Sequence, residues 1–327
     1  MKPLIQTLTE TCAPSGYEIA IQEIIRREIE PLVDELRVDA LGNLLARRGN
    51  KAAHGKRVLL ACAMNEGGLI ANHIDAHGFV RFTALGKASP FLLPGVRMRF
   101  VNGAQGVIGA DHTSKDEQPP AIEKRFIDLG ATGLHDCPIE VGAVAAFDQP
   151  CQFCGQYVTA KALGNRAGVA VAIETLRRLE PGVNEVWAAF TVRQESGMVA
   201  YALDPELGLL LSPALAEDTP PNNQRGLVLG KGPAVVVKEA FGFADSRVVN
   251  WMIRTADQAG LPLQRHVSNE GGERTSAMHQ ARAGVPSGSL GLPCRYLHSP
   301  SERMHLGDLE IAVQWLTLLL ANPIPIE

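Results

Sequence analysis

The sequence is poor in aromatic residues, in net charge and in long apolar runs. Aromatic side chains make up 5% of its 327 residues, which argues against an extended stacking groove for nucleobases or sugars. The formal net charge of −4 provides no strong field that would attract phosphate backbones or anionic lipids. No apolar run approaches the roughly 18 residues of a membrane-spanning helix. We therefore expect a protein that binds neither nucleic acid nor membranes.

Cysteines are also few, and they are scattered along the chain. The six are Cys12, Cys62, Cys137, Cys151, Cys154 and Cys294. The first residues contain one basic side chain and no apolar segment of a secretory signal, so we expect a cytoplasmic protein with reduced thiols. Cys151 and Cys154 form a C-x-x-C pair without a second pair or a histidine at zinc-finger spacing. Ordinary packing is the favoured interpretation, with a structural zinc or a redox pair as the alternative.

The chain is instead rich in apolar residues that follow helical and strand-like patterns. Hydrophobic residues make up 46% of the sequence, enough for the core of one or two domains. Helical spacing predicts helices at 19–33, 165–179, 247–259 and 309–320. Apolar runs predict strands at 36–46, 58–64, 185–192 and 208–211. A capping box at Ser15 and Glu18 is expected to start the first helix. This alternation predicts an α/β protein with a mostly parallel sheet flanked by helices.

Residues 67 to about 156 have a different texture. Short alternating segments, such as 79–85 and 143–147, are separated by Gly, Pro and Asp and show no helical period. This pattern predicts an all-β insertion within the α/β unit. Because open parallel sheets bind ligands at the carboxyl ends of their strands, we expect the functional residues near Met64, Val192 and Leu211 and just before His298.

Five segments near these predicted strand ends form a recognisable series. They read ACAMNEGG at 61–68, KALGNRAG at 161–168, RQESG at 193–197, DTP at 218–220 and RYLHSP at 295–300. In order and spacing the series resembles the glutamyl aminopeptidase and deblocking aminopeptidase family. These are dinuclear metallopeptidases that build tetrahedral particles, and some carry the name cellulase M. The resemblance covers essentially the whole chain.

The resemblance implies a domain division and an assembly. A metallopeptidase-like α/β domain would comprise residues 1–66 and 157–327, interrupted by an inserted β domain at 67–156 that mediates dimerisation and higher assembly. We therefore expect a homo-oligomer, between a dimer and a dodecamer.

The resemblance also implies a site with two divalent cations, but three of its metal-ligand positions are altered. Ala63 occupies the position of a family histidine ligand. Gly164 occupies the position of the aspartate that bridges the two cations. Ser212 occupies the position of a further aspartate ligand. A dinuclear site polarises the scissile carbonyl and generates a hydroxide, and both actions require these ligands.

The remaining family positions are partly retained. Glu195 and His298 match family ligands. Gln194 stands where the family has its general-base glutamate, and Asn65 replaces an aspartate that orients the metal ligands. An amide such as Gln194 does not accept a proton near neutral pH, and general-base catalysis contributes roughly 10²–10⁴-fold to rates.

A charge count decides what these changes imply. The family site sets three carboxylate ligands against four positive charges, whereas Glu195 alone would face the same four charges here. Losing even a residue that only orients a ligand costs about 10–100-fold in metal affinity. We therefore expect no dinuclear cofactor, and at most one weakly bound zinc or cobalt ion at Glu195 and His298. The expected protein is a pseudoenzyme that binds a peptide or small amide, or that serves as a structural partner.

Two alternatives remain open. An altered hydrolase or transferase could use Glu195 and His298 with a substitute ligand, or with the Cys62 thiol as ligand or nucleophile. Adjacent residues on a strand point to opposite faces, so Cys62 beside the vacated position is better interpreted as a core thiol. The third hypothesis is the family's own aminopeptidase activity, which the lost ligands and base disfavour.

Overall fold

The chain begins with two helices and three strands. The computed structural model describes residues 1–111, 121–180, 182–192, 196–220, 226–269 and 273–326. The first elements are α1 (Lys2–Glu10), α2 (Ile19–Ile29), a short 3-10 turn (Glu30–Leu32), β1 (Glu35–Val38), β2 (Leu44–Arg48) and β3 (Arg57–Ala63). The single strand predicted at 36–46 is a hairpin, because the Asp39 carboxylate accepts the N–H groups of Leu41 and Asn43 and so fixes a turn.

The N-terminus of the predicted first helix, α2, is not capped as the sequence predicted. Helix α2 begins at Ile19 and buries Ile21, Ile25 and Ile29, as the helical spacing predicted. The predicted capping box is wrong, since no side chain caps this helix. The Ser15 hydroxyl instead accepts a hydrogen bond from Asn65 Nδ2 at 2.7 Å. Helix α1, which precedes it, was not predicted.

The inserted region forms a closed barrel. Its six described strands are β4 (Gly68–Ile74), β5 (Val80–Leu85), β6 (Arg97–Phe100), β7 (Gln105–Ala110), β8 (Arg125–Asp128) and β9 (Val144–Phe147). Neighbouring strands are antiparallel, in the order β4-β5-β8-β7-β6-β9, and the barrel has its own apolar core around Leu69, Phe100 and Ile127. The all-β character predicted for this region is confirmed.

The remainder of the chain returns to alternating strands and helices. In order these are β10 (Gln152–Cys154), β11 (Tyr157–Ala160), α3 (Leu163–Arg178), β12 (Glu185–Thr191), α4 (Ser196–Leu203), β13 (Leu207–Leu215), β14 (Ala234–Glu239), β15 (Gly242–Phe243), α5 (Ser246–Gln258), β16 (Gln264–Val267), α6 (Glu273–His279), β17 (Ser287–Cys294), β18 (Glu302–His305) and α7 (Leu306–Ala321). Among the described helices, none combines the length and apolarity that crossing a membrane requires.

A mixed sheet lies at the centre of this larger unit. Its described strands follow the order β1-β2-β12-β3-β13-β17-β14-β15, and β16 pairs with β14. The central strands β12, β3, β13 and β17 are parallel to one another and are almost entirely buried, which explains their continuous apolar runs. Helix α3 packs on β3 and β13. The predicted α/β fold with a mainly parallel sheet flanked by helices is therefore confirmed.

The chain returns from the barrel to the α/β unit close to the predicted domain boundary. Strands β10 and β11 form an antiparallel hairpin, and β11 pairs with β18 of the α/β unit. The predicted boundary at 156/157 falls in the turn of this hairpin. The division into residues 1–66 and 157–327 around 67–156 stays a prediction.

Candidate functional site

A cleft of about 630 Å³ opens where the parallel strands end. Asn65, just after β3, and Ser212, near the end of β13, line it together with Gly164 in the first turn of α3. Lys87 and Phe147 of the barrel region also line the cleft. This is the edge at which open α/β sheets bind ligands, so the cleft is the candidate functional site.

Most of the predicted site residues meet at this cleft. Asn65, Gly164, Ser212 and His298 all line it. Ala63 is the last residue of β3 and is buried, without lining the cleft. Gln194 and Glu195 lie outside the described residues.

The side chains at the altered metal-ligand positions do not fit a pair of metal ions. Ala63 offers a methyl group and Gly164 offers only a hydrogen atom. The Ser212 hydroxyl lies 3.5 Å from the Ser289 hydroxyl on the neighbouring strand β17. Within the described ranges, no group of three or more His, Cys, Asp or Glu side chains could hold a metal ion.

The packing around Gly164 leaves little room for a side chain. A Cβ atom at this position would lie 3.1 Å from Pro213 Cβ and 3.2 Å from Leu297 Cδ2. Both distances are shorter than ordinary van der Waals contact, which begins at about 3.5 Å between carbon atoms. Pro213 and Leu297 thus close in on the space that the first atom of an aspartate side chain would need.

Asn65 connects the cleft to the N-terminal loop. Its Nδ2 atom donates to the Ser15 hydroxyl, and its backbone oxygen accepts a hydrogen bond from Asn165 Nδ2 at 2.9 Å. Its Oδ1 atom is buried and has no hydrogen-bond partner in the described structure. Asn65 therefore holds the loop in place and leaves one buried acceptor beside the cleft.

A buried charge network that the sequence analysis missed lies directly behind this wall. Lys161 Nζ donates to Glu66 Oε2 at 2.6 Å, and Arg166 Nη2 lies 3.6 Å from Glu66 Oε1. Glu66 Oε1 also accepts the backbone N–H of Ala13 at 2.8 Å. The side chains of Glu66, Lys161 and Arg166 are at most 3% exposed. Because Glu66 precedes the barrel and Lys161 follows it, this ion pair joins the two chain crossings.

Glu302 is the second functional candidate that sequence reasoning missed. Its carboxylate accepts the backbone N–H groups of Gly164 and His298, each at 2.6 Å. Burial raises the pKa of Glu302 to about 7, and the two N–H donors oppose that shift. Its place four residues after His298 was a signal that could have identified it. A carboxyl group near half-protonation at neutral pH therefore lies beneath the cleft.

His298 is held through its backbone. It has a positive φ of 69°, in the left-handed region that non-glycine residues rarely adopt, and the Glu302 carboxylate fixes its N–H. The residue itself is exposed at the cleft. Glu302 thus stabilises an unusual local backbone that presents the imidazole to the cleft.

Two further residues of the segments described above have well-defined surroundings. Asp218, the first residue of the DTP segment, forms a two-pronged ion pair with Arg295 at 2.6 and 2.7 Å. The Arg295 guanidinium lowers the pKa of this carboxyl. Cys62 lies in the core beneath α3 at 2% exposure, which agrees with its interpretation as a core thiol.

Comparison with known proteins gives a consistent result. Residues 42–315 match the family model described as M42 glutamyl aminopeptidase. The chain is 32% identical to a putative aminopeptidase of Acetivibrio thermocellus over 97% of each chain. It is also similar to an aminopeptidase structure from Desulfurococcus kamchatkensis, with a TM-score of 0.94 and 29% identity over 99% of this chain and 95% of that one. A third similar structure is the TET1 peptidase of Pyrococcus horikoshii, at 28% identity, TM-score 0.87 and 98% of both chains; that peptidase can assemble into a tetrahedron or a large octahedral shell.

Proposed function

This chain belongs to the M42 glutamyl aminopeptidase family, and we propose that it has lost the two-metal peptidase chemistry and uses the cleft to bind a peptide or small amide. The observation that carries the proposal is the wall of the cleft at Gly164. This position lacks the bridging carboxylate, and Pro213 and Leu297 crowd the direction in which a side chain would leave it.

The remaining site positions support the same proposal. Ala63 has no donor atom, and Ser212 contributes a neutral hydroxyl near Ser289. Gln194 would be unable to act as a general base near neutral pH. Glu195 and His298 would at most hold one weakly bound zinc or cobalt ion, because one carboxylate compensates little of the charge of a divalent cation.

The cleft has the properties of a binding site without this chemistry. It is as large as the pockets that hold small ligands, which span roughly 300–1,000 Å³. Polar residues such as Asn65 and Ser212 line it and could orient the N–H and C=O groups of a peptide or amide.

The proposal extends to assembly and location. The TET1 peptidase assembles into closed shells, and this chain carries the same fold along its length. We infer a cytoplasmic homo-oligomer, from a dimer to a dodecamer, with the region 67–156 as the oligomerisation domain. Sedimentation velocity of the full chain tests the assembly.

Metal content and hydrolysis test the loss of chemistry. The purified chain is incubated with zinc or cobalt, desalted and analysed by mass spectrometry for metal per chain, and aminoacyl anilides are tested as substrates. We expect fewer than one retained ion and no chelator-sensitive release of the chromophore. A variant that combines Ala63→His, Gly164→Asp, Gln194→Glu and Ser212→Asp serves as the matched control and should retain more metal. Two tightly bound ions in the unmodified chain would overturn the proposal.

A further inference from the structure

The sheet ends beside the cleft in an edge strand, β16, whose outward backbone groups have no partner among the described residues. Strand β16 pairs with β14 on one side, where Gln264 N–H donates to the Pro233 oxygen and Ser268 N–H donates to the Lys238 oxygen, each at 2.9 Å. Backbone groups alternate between the two sides of a strand, so those of Arg265 and Val267 face away from β14. In the described part of the chain, no hydrogen bond reaches the N–H or C=O of these two residues from another strand or loop.

Two exposed apolar side chains flank a lysine in a row across this end of the sheet. Val267 on β16 and Phe243 on β15 are both register partners of Lys238, so the three side chains share one face. Val267 is 66% exposed and Phe243 is 67% exposed. The Lys238 ammonium lies 5.6 Å from the centre of the Phe243 ring. A further strand beside β16 would add one side chain to this row, opposite Val267.

The opposite end of the sheet is built differently. Strand β1 carries Glu35 and Arg37, which form an ion pair at 3.4 Å, and Arg47 of β2 also pairs with Glu35. Charged side chains on an edge strand oppose the addition of another chain. Strand β16 also carries a charged residue, Arg265, but among the described residues Arg265 forms no ion pair with a neighbouring strand. The edge is continuous with the cleft, because Val267 and Ser268 line the cleft wall.

We infer that the outer edge of β16 accepts an extended polypeptide segment as an added strand, with an apolar side chain opposite Val267, and leads that segment into the cleft. Backbone hydrogen bonds to an exposed sheet edge are a general mode of peptide recognition, in which alternate side chains supply the selectivity. The inference rests on the proposed function and specifies its ligand as an extended peptide with an apolar residue at the position opposite Val267.

The test uses the full chain and the probe Ala-Thr-Val-Thr-Val-Thr-Lys, labelled with fluorescein on the lysine, in an anisotropy titration. Val267→Pro removes the outward N–H, and proline is tolerated on an edge strand where that N–H makes no ladder bond. Val267→Thr keeps the N–H and the β-branched shape and is the matched control. We expect Val267→Pro to weaken binding about tenfold and Val267→Thr to change it less than threefold.

Backbone methylation of the probe supplies a second, independent measurement. One peptide carries N-methyl groups on its odd residues and another carries them on its even residues. Only one set faces the edge, so we expect the two affinities to differ by about tenfold. Equal affinities, no detectable binding of the unmodified probe, or unchanged binding to a folded Val267→Pro variant would overturn the inference. Loss of oligomeric mass in Val267→Pro without peptide binding would assign the edge to a second copy instead.

A further variant separates this inference from the proposed function. Leu215 lines the cleft and is 40% exposed, so Leu215→Trp narrows the cleft without disturbing the core. If Leu215→Trp abolishes probe binding while Val267→Pro has no effect, the cleft remains the peptide site and the edge inference fails. If the metal and anilide assays detect a dinuclear peptidase, the proposed function fails whichever variant alters peptide binding.

Discussion

The junction between the barrel and the α/β unit differs in its charged groups from the neighbouring positions at which the family resemblance implies metal ligands. The junction buries Glu66, Lys161 and Arg166, and both basic side chains face the Glu66 carboxylate. In the sequence, the buried Ala63 lies three residues before Glu66, and Gly164, which lines the cleft, lies between the two basic residues. Buried charges are costly unless paired, so the junction depends on each member of its network. The proposed loss of two-metal chemistry would thus leave in place the charges that support the architecture.

Removing one member of the junction network should have the largest effect. Lys161→Met leaves the Glu66 carboxylate buried with only the more distant Arg166 as a cationic partner. Breaking a buried ion pair in this way costs about 3–5 kcal/mol, and we expect that loss in the free energy of unfolding measured with denaturant. Arg178→Met, which removes the exposed pair with Glu310, should cost less than about 1 kcal/mol. Similar losses in the two variants would contradict the assigned role of the junction.

Glu302, at the cleft, should make the stability of the protein depend on pH. Burial raises the pKa of Glu302 to about 7, so the folded state binds this proton more tightly than the unfolded state, where the ordinary value is 4.5. The free energy of unfolding should therefore be greatest at low pH with respect to this group, and should fall as the pH rises from about 4.5 to about 7. The full difference of about 2.5 pKa units corresponds to about 3 kcal/mol.

A variant isolates this contribution. Glu302→Gln does not titrate, so its free energy of unfolding should fall less than that of the unmodified chain between pH 4.5 and 7.5. Glu310→Gln is the control, because Arg178 lowers the pKa of that carboxyl and its titration lies below this window. Parallel pH profiles for Glu302→Gln and the unmodified chain would refute the assignment of the raised pKa.

Alanine substitutions at two glycines of α3 should give the smallest changes in the free energy of unfolding. Gly164→Ala places a methyl group against Pro213 and Leu297 and should lower the free energy of unfolding by about 1 kcal/mol, within the range for overpacking. In Gly168→Ala the methyl group would meet Leu211 Cβ at an ordinary 3.5 Å, so helix propensity should raise stability by up to about 1 kcal/mol. Equal changes in the free energy of unfolding for the two substitutions would mean that Pro213 and Leu297 move aside easily for a side chain at residue 164.

Much of the fold was predictable because its signals are periodic. The buried isoleucines of α2, the apolar run of β3 and the alternating segments of the barrel each report which faces are covered. Local hydrogen bonds were harder to predict. Ser15 and Glu18 match a capping box, yet Ser15 turns to Asn65, a partner fifty residues away. Asp218 likewise pairs with Arg295 from a distant segment.

The candidate site was predictable only in part, for a related reason. The family resemblance predicts that Ala63, Gly164 and Ser212 are altered ligand positions, because none of these residues has a carboxylate or an imidazole, and this stays a prediction. The same segments contain Glu66, Lys161 and Arg166, but the types of these residues do not reveal that they meet in one buried network. Nor does the type of Glu302 reveal its raised pKa, which results from burial.

The sequence by itself determined the α/β architecture with its β insert, the family resemblance and the absence of carboxylates and imidazoles at three positions where that resemblance implies metal ligands. These properties depend on residue type and on short-range periodicity. Only the tertiary structure decided how closely Pro213 and Leu297 approach Gly164, which charges are buried together and where the sheet leaves an open edge. Those properties depend on contacts between segments that are far apart in the chain, and a contact of that kind exists only once both segments are in place.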